Sequence, residues 1–188
     1  MTPARAFEEL LAALDRLDIP YLVSGSVASS VHGVARATRD IDVLVDMRES
    51  HVAPLTAALS KDFYADAGMM REAILGKRAF NVIHYATAYK FDLFPAPSDA
   101  YTQAQFARRQ PGRFPVENEE VRFQVASAED SILSKLVWHR SGGEVSDQQW
   151  RDVLGIVKMQ GARLDLEYLR KWAPQLGVDD LLSRALND

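Results

Sequence analysis

Apolar residues recur along this chain with two periods, helical in some stretches and alternating in others. Phe7, Leu10, Leu11, Leu14 and Leu17 share one face of a helix over residues 4–17, and Pro20 marks its exit. Tyr21-Leu22-Val23 is a short strand that runs into Gly25-Ser26, and residues 27–33 predict a short helix stopped by Gly33. Arg36 to Arg39 form a polar connection into Asp40–Asp46, a run of strong strand propensity. Helical spacing returns over residues 50–60. From Phe63 to Phe94 the pattern is mostly that of strands, with a short helix near 69–75. Residues 80–85 and 88–94 predict a hairpin, residues 99–109 a helix, and 114–117 with 121–125 a second hairpin around Asn118.

At Ser127 the pattern becomes wholly helical. Ser127-Ala-Glu-Asp130 and Ser146-Asp-Gln-Gln149 each read as a capping box that opens a helix, and two more helices follow near 165–173 and 178–186. This divides the chain into an α/β unit, residues 1–126, and a helical subdomain, residues 127–188, in an α+β (α/β) protein.

With 188 residues, 47% of them apolar, the chain can bury a real core and is no disordered polymer. Its net charge of −4 argues against a protein that coats DNA, yet leaves room for a nucleotide, because metal ions supply positive charge locally. The absence of cysteine excludes disulfides and thiolate metal sites. The N-terminal segment lacks the unbroken apolar core of a signal peptide, and no run approaches a membrane span. The expectation is a soluble, cytoplasmic protein.

The sharpest chemical feature is Gly25-Ser26, thirteen further residues, then Asp40-Ile-Asp42. Side chains alternate along a strand, so Asp40 and Asp42 should share a face while Ile41 and Val43 enter the core. Carboxylates so placed repel one another unless a cation lies between them, and hard oxygen ligands suit Mg²⁺ or Mn²⁺. Free N–H groups where Gly25-Ser26 opens a helix favour a phosphate. Asp92 alternates with Phe91 and Leu93 in the same manner. If its strand lies beside the first, the three acids converge on one metal-binding, catalytic centre. Taken singly, each acid could equally be a solvated strand residue.

The run from Val23 through Gly25-Ser26 to Thr38-Arg-Asp-Ile-Asp42-Val-Leu-Val45 resembles the signature of polymerase-β-like nucleotidyltransferases. Ala128-Glu-Asp-Ser-Ile-Leu-Ser-Lys135, with Gln149-Trp-Arg-Asp152 after it, is similar to the AbiEii/AbiGii branch, which includes toxins of toxin–antitoxin pairs. The resemblance implies a nucleotidyltransferase fold, a small mixed sheet flanked by helices with a helical C-terminus. It makes Ser26 a phosphate contact and Asp40 and Asp42 metal ligands. Asp92 would complete the metal site or activate the acceptor hydroxyl. Lys135 and Asp152 become nucleotide-binding residues. For the basic motif that some toxins carry between the acidic strands, Lys77-Arg78 is the nearest candidate.

The implied activity moves a nucleoside monophosphate from a nucleoside triphosphate to an acceptor hydroxyl, on an RNA end, a protein or a small molecule. A cognate antitoxin or other small partner protein belongs to the toxin reading. The alternative is a nucleotide-binding or regulatory protein that keeps the fold without turnover. Lys135 lies beside the stripe of Ile132, Leu133, Leu136 and Val137, and is otherwise a solvated helix residue. His32, His51, His84 and His139 lack metal-ligand spacing, and Trp138, Trp150 and Trp172 read as core or interface. Arg71, Lys77, Arg78, Lys90, Arg108, Arg109 and Arg113 form either a solvated face or the rim of an RNA site.

Overall fold

The computed structural model describes residues 2–36, 38, 40–76, 78–117 and 119–188. Lys77 and Asn118, named above for a basic motif and a turn, lie outside the described residues, as does Arg39.

Helix α1 (Pro3–Arg16) starts at Thr2, whose hydroxyl accepts the Arg5 N–H, with Pro3 at the first helical position where its missing N–H costs nothing. Then follow β1 (Tyr21–Val23), α2 (Gly25–His32), β2 (Ile41–Val45), α3 (Glu49–Leu59), β3 (Phe63–Tyr64), α4 (Ala67–Gly76), β4 (Phe80–His84) and β5 (Lys90–Pro95). Helix α5 (Ala100–Arg108) leads into the hairpin β6 (Gln110–Val116) and β7 (Glu119–Val125). The remainder is helical: α6 (Ala128–Ser141), α7 (Asp147–Gln160), a 3₁₀ turn at Gly161–Arg163, α8 (Leu166–Trp172) and α9 (Asp179–Asn187).

The strands form one mixed sheet in the order β3-β4-β5-β2-β1-β7-β6. β2 runs antiparallel to β1 and parallel to β5, which pairs Asp42 with Asp92 and Leu44 with Phe94. Alternation then sorts the two faces. Ile41, Val43, Val45, Phe91 and Leu93 are fully buried in a core with α1, where the Phe7 ring stacks on Phe91 at 5.5 Å between centroids. Asp42, Leu44, Asp92 and Phe94 turn to the opposite, half-buried face.

The apolar core falls into two clusters. One runs from Ala4 to Ala126, and the other from Ala128 to Ala185. Helix α2 packs on α6 and α7 across the gap. At its end the buried His32 Nε2 lies 2.6 Å from the Ala126 carbonyl, and Gln160 Nε2 donates to the His32 carbonyl at 2.6 Å. Arg108 of α5 makes a second clamp, pairing with Glu129 and Asp165 at 3.1 Å each while lying over the Tyr168 ring.

Of the boundaries that differ from the sequence reading, two bear on the acids. α2 begins at Gly25 itself, because Gly25 takes a φ of 59° that turns the chain from β1 straight into the helix. β2 begins at Ile41, so Asp40 stands exposed just ahead of the strand and outside its alternation. The expected short helix near 69–75 is longer, α4. No helix among the described residues is long and apolar enough to cross a membrane.

Candidate active site

The Gly25-Ser26 turn, Asp42 and Lys135 border one cavity of about 540 Å³. Its floor is the half-buried face of the sheet, where Leu22, Leu44 and Phe94 lie side by side in register one pleat beyond the carboxylates. Ser131, Ser134, Lys135 and Trp138 of α6 form a wall, and Gln149 of α7 and Tyr101 of α5 close it.

Asp42 occupies the crowded end. A Cβ built on Gly25 would overlap its carboxylate, standing 2.7 Å from Cγ, so only glycine lets the carboxylate reach the helix start. Burial pushes the Asp42 carboxyl above its ordinary pKa, and the charges of Asp92 and Asp40 add to the effect. Lys135 and the backbone N–H of Ser26 pull the other way without reversing it. Asp92, next to it in register, accepts a hydrogen bond from Asn81 and an ion pair from Lys90 Nζ at 2.9 Å. Asp42 and Asp92 are thus neighbours in register, and Asp40, exposed just ahead of the strand, is near enough for its charge to act on Asp42. Among the described residues no group of three or more Asp, Glu or His is gathered closely enough to hold a metal by itself.

Lys135 borders the cavity with Gly25, Ser26 and Asp42, and the alternative of a solvated helix residue does not hold: it is buried, at 5% exposure, and its Nζ lies 2.7 Å from Asp152 Oδ2. α6 is covered on more than its apolar stripe: α2 and α7 both pack on it. Asp152 in turn accepts from Gln148 at 2.7 Å and lies 3.4 Å from Arg36 Nε. Burial alone would raise the Asp152 pKa, but Lys135, Gln148 and Arg36 together hold it below the usual carboxylate range. With both oxygens so engaged, Asp152 does not border the cavity, unlike Gly25, Ser26 and Lys135.

The sequence reading passed over Arg36, whose Nη2 donates to Ser26 Oγ, and Gln149, whose buried Oε1 has no hydrogen-bond partner among the described residues. Neither carried a signal, since an arginine in a loop and a glutamine after a cap are ordinary. Trp138 is 60% exposed and faces the cavity mouth, whereas Trp172 is buried as expected. His84 and His139 are buried and His51 caps α3, so none of the histidines forms a cluster. The basic run is not a single rim. Arg71 pairs with Glu49, Lys90 with Asp92, Arg108 with Glu129 and Asp165, and Arg113 with Glu120, on four separate elements.

A mixed sheet with paired aspartates on adjacent parallel strands, and a Gly-Ser turn opening a helix beside them, is a nucleotidyltransferase fold. Comparison with solved structures agrees. The solution structure of the antibiotic-resistance factor ANT(2″)-Ia matches with a TM-score of 0.53 at 17% identity, over 98% of this chain and 97% of that one. A crystal structure of ANT(2″)-Ia in complex with adenylyl-2″-tobramycin matches at 0.50 and 17%, over 89% and 94%. An antigenic nucleotidyltransferase-like protein from Paracoccidioides brasiliensis matches at 0.53 and 16%, over 98% and 91%. No protein-family model and no curated protein sequence matches the chain.

Proposed function

We propose that this chain is a metal-dependent nucleotidyltransferase that moves a nucleoside monophosphate from a nucleoside triphosphate to an acceptor hydroxyl. The observation that carries the reading is Asp42, set against the start of α2 on the border of a ligand-sized cavity, with Asp92 beside it in register. A structural neighbour held with an adenylylated hydroxyl compound lends support to this class of reaction.

In this reading the Gly25-Ser26 turn receives the phosphates through the Ser26 hydroxyl and those N–H groups of the first turn of α2 that Asp42 does not hold. Lys135 adds a positive charge from the opposite wall. Asp42 and Asp92 would hold Mg²⁺ or Mn²⁺, with Asp40 contributing from the strand entry. Burial first, and then the charges of Asp92 and Asp40, make the Asp42 carboxylate costly to ionise alone, and a hard dication would offset that cost. Such an ion supplies charge neutralisation at the transferring phosphate and orients its oxygens. Asp92, freed from Lys90, is placed to accept the proton of the acceptor hydroxyl. The covered cavity keeps water from competing as acceptor.

Residues 1–126 would form the catalytic unit and 127–188 a helical subdomain that closes the cavity, a division that the two apolar cores support. The toxin-type assignment, with its antitoxin partner, rests on the match at Lys135 and Asp152. The test is incubation of the protein with each labelled triphosphate, Mg²⁺ or Mn²⁺, and total RNA, protein or small-molecule alcohols. Label should move to one acceptor class and stay in the triphosphate with Asp42→Asn. Transfer that survives Asp42→Asn with Asp92→Asn would refute the proposed site.

A further inference from the structure

Arg36 lies outside the motifs discussed above, yet it touches the phosphate turn. Its side chain, one-third exposed at 33%, reaches back from the connection after α2 to the first turn of that helix. Nη2 donates to Ser26 Oγ, while Nε stands 3.4 Å and Nη2 3.5 Å from the two oxygens of Asp152. Those oxygens are already held more tightly by Lys135 and Gln148, at 2.7 Å each. Lys135 faces the 540 Å³ cavity, and Arg36 faces a second one of about 830 Å³ with Ser30 and Thr38. Lys135 and Arg36 thus share one carboxylate, and Arg36 also reaches the hydroxyl of Ser26.

Arg36 turns its Nε–Nη2 edge to Asp152, one nitrogen to each oxygen, but at 3.4 and 3.5 Å, longer than a charge-assisted hydrogen bond. Here the shortest contact is to a neutral hydroxyl, and the carboxylate is at the edge of reach. Donation into a lone pair of Ser26 Oγ also leaves that hydroxyl's own proton free to donate. An anion held by the Ser26 hydroxyl would therefore lie within reach of the Arg36 guanidinium, whose planar fork matches phosphate.

We propose that Arg36 is a ligand for the polyphosphate of the nucleotide, and that Asp152 is a positioning residue that holds Arg36 and Lys135 about Ser26. The proposal rests on the nucleotidyltransferase reading and adds to it a residue that the sequence did not single out. Phosphate replaces Asp152 as the principal partner of the guanidinium, while Asp152 keeps Lys135.

The experiment is calorimetric titration of the full chain with inorganic tripolyphosphate, and separately with Mg²⁺ and ATP, in buffer free of phosphate. Arg36→Ala should weaken tripolyphosphate binding about tenfold, the loss expected for one charge-assisted contact, with the ligand-free melting temperature unchanged. Arg36→Lys should recover part of it, because charge survives without the fork. In an Asp152→Asn background the effect of Arg36→Ala should shrink below about threefold, since the two residues act together. Should Arg36→Ala unfold, Arg36→Gln carries the same comparison. Wild-type binding that Arg36→Ala leaves intact overturns the ligand role, and fully additive effects overturn the positioning role. A wild type that binds neither probe overturns the nucleotidyltransferase reading itself, a result distinct from both.

Discussion

The carboxylate of Asp42 lies where a side chain on Gly25 would be, so the strand acid and the helix start are in direct contact. Gly25 also holds a φ of 59°, which an L side chain adopts only under strain. Gly25→Ala should therefore cost about 1–3 kcal/mol of stability and push the Asp42 carboxylate off the turn. Urea denaturation reads the first effect, and loss of Mg²⁺-dependent protection by ATP in a melting assay reads the second. Full stability in Gly25→Ala would mean that the turn relaxes freely.

Lys135 and Asp152 form a buried pair, with side chains 6% and 7% exposed. Lys135→Ala leaves Asp152 only Gln148 and the looser Arg36 contact at 3.4 Å, so it should destabilise the protein by about 1–3 kcal/mol. Lys135→Met with Asp152→Leu should recover much of that in chemical denaturation, because Arg36, one-third exposed, can turn to solvent. The double variant should still fail in nucleotide transfer. A Lys135→Ala protein as stable as wild type would show the pair to be dispensable to the fold.

Trp138 follows Lys135 by one turn of α6 and borders the same cavity, while 60% exposed. Nucleotide seated on Ser26 and Lys135 should bring its nucleoside against the indole. Tryptophan emission should shift and quench on addition of Mg²⁺ and triphosphate, and Trp138→Phe should remove most of the change while buried Trp172 contributes little. Emission from Trp138→Phe that responds as the wild type does would locate the nucleoside elsewhere.

His32 joins the end of α2 to the β7–α6 junction through Ala126. Burial lowers its pKa beneath the ordinary value of 6.5, although the Ala126 carbonyl and Glu129 partly oppose this. Above that value the ring is neutral in both folded and unfolded chains. As pH falls through it, the unfolded chain takes up a proton that the folded one resists, so stability declines with acid. The slope contributed is at most about 1.4 kcal/mol per pH unit. Denaturation midpoints measured between pH 7.5 and 5.5 should fall for the wild type and fall less for His32→Gln, which keeps a donor for the carbonyl. Equal slopes in the two proteins would assign the pH dependence to other groups.

Short-range chemistry made much of this architecture legible in the sequence. The caps at Ser127 and Ser146, the alternation through Ile41-Asp-Val-Leu-Val45 and Phe91-Asp-Leu93, and the glycine before Ser26 act within a few residues, so local pattern gave most of the helices and strands, while only the pairing of β2 with β5 put Asp42 beside Asp92. What depended on packing at long range was hidden. The resemblance pointed to Lys135 as a nucleotide-binding residue, but its burial could not be read locally, because it comes from α2 and α7, distant in the chain. Asp40 looked like a strand residue because only the register of β2 against β1 and β5 decides that pairing begins at Ile41. Arg36 could not be singled out at all. Its place between Ser26 and Asp152 joins residues 116 positions apart, and no local pattern encodes a contact that exists only once the helical C-terminus has docked on α2.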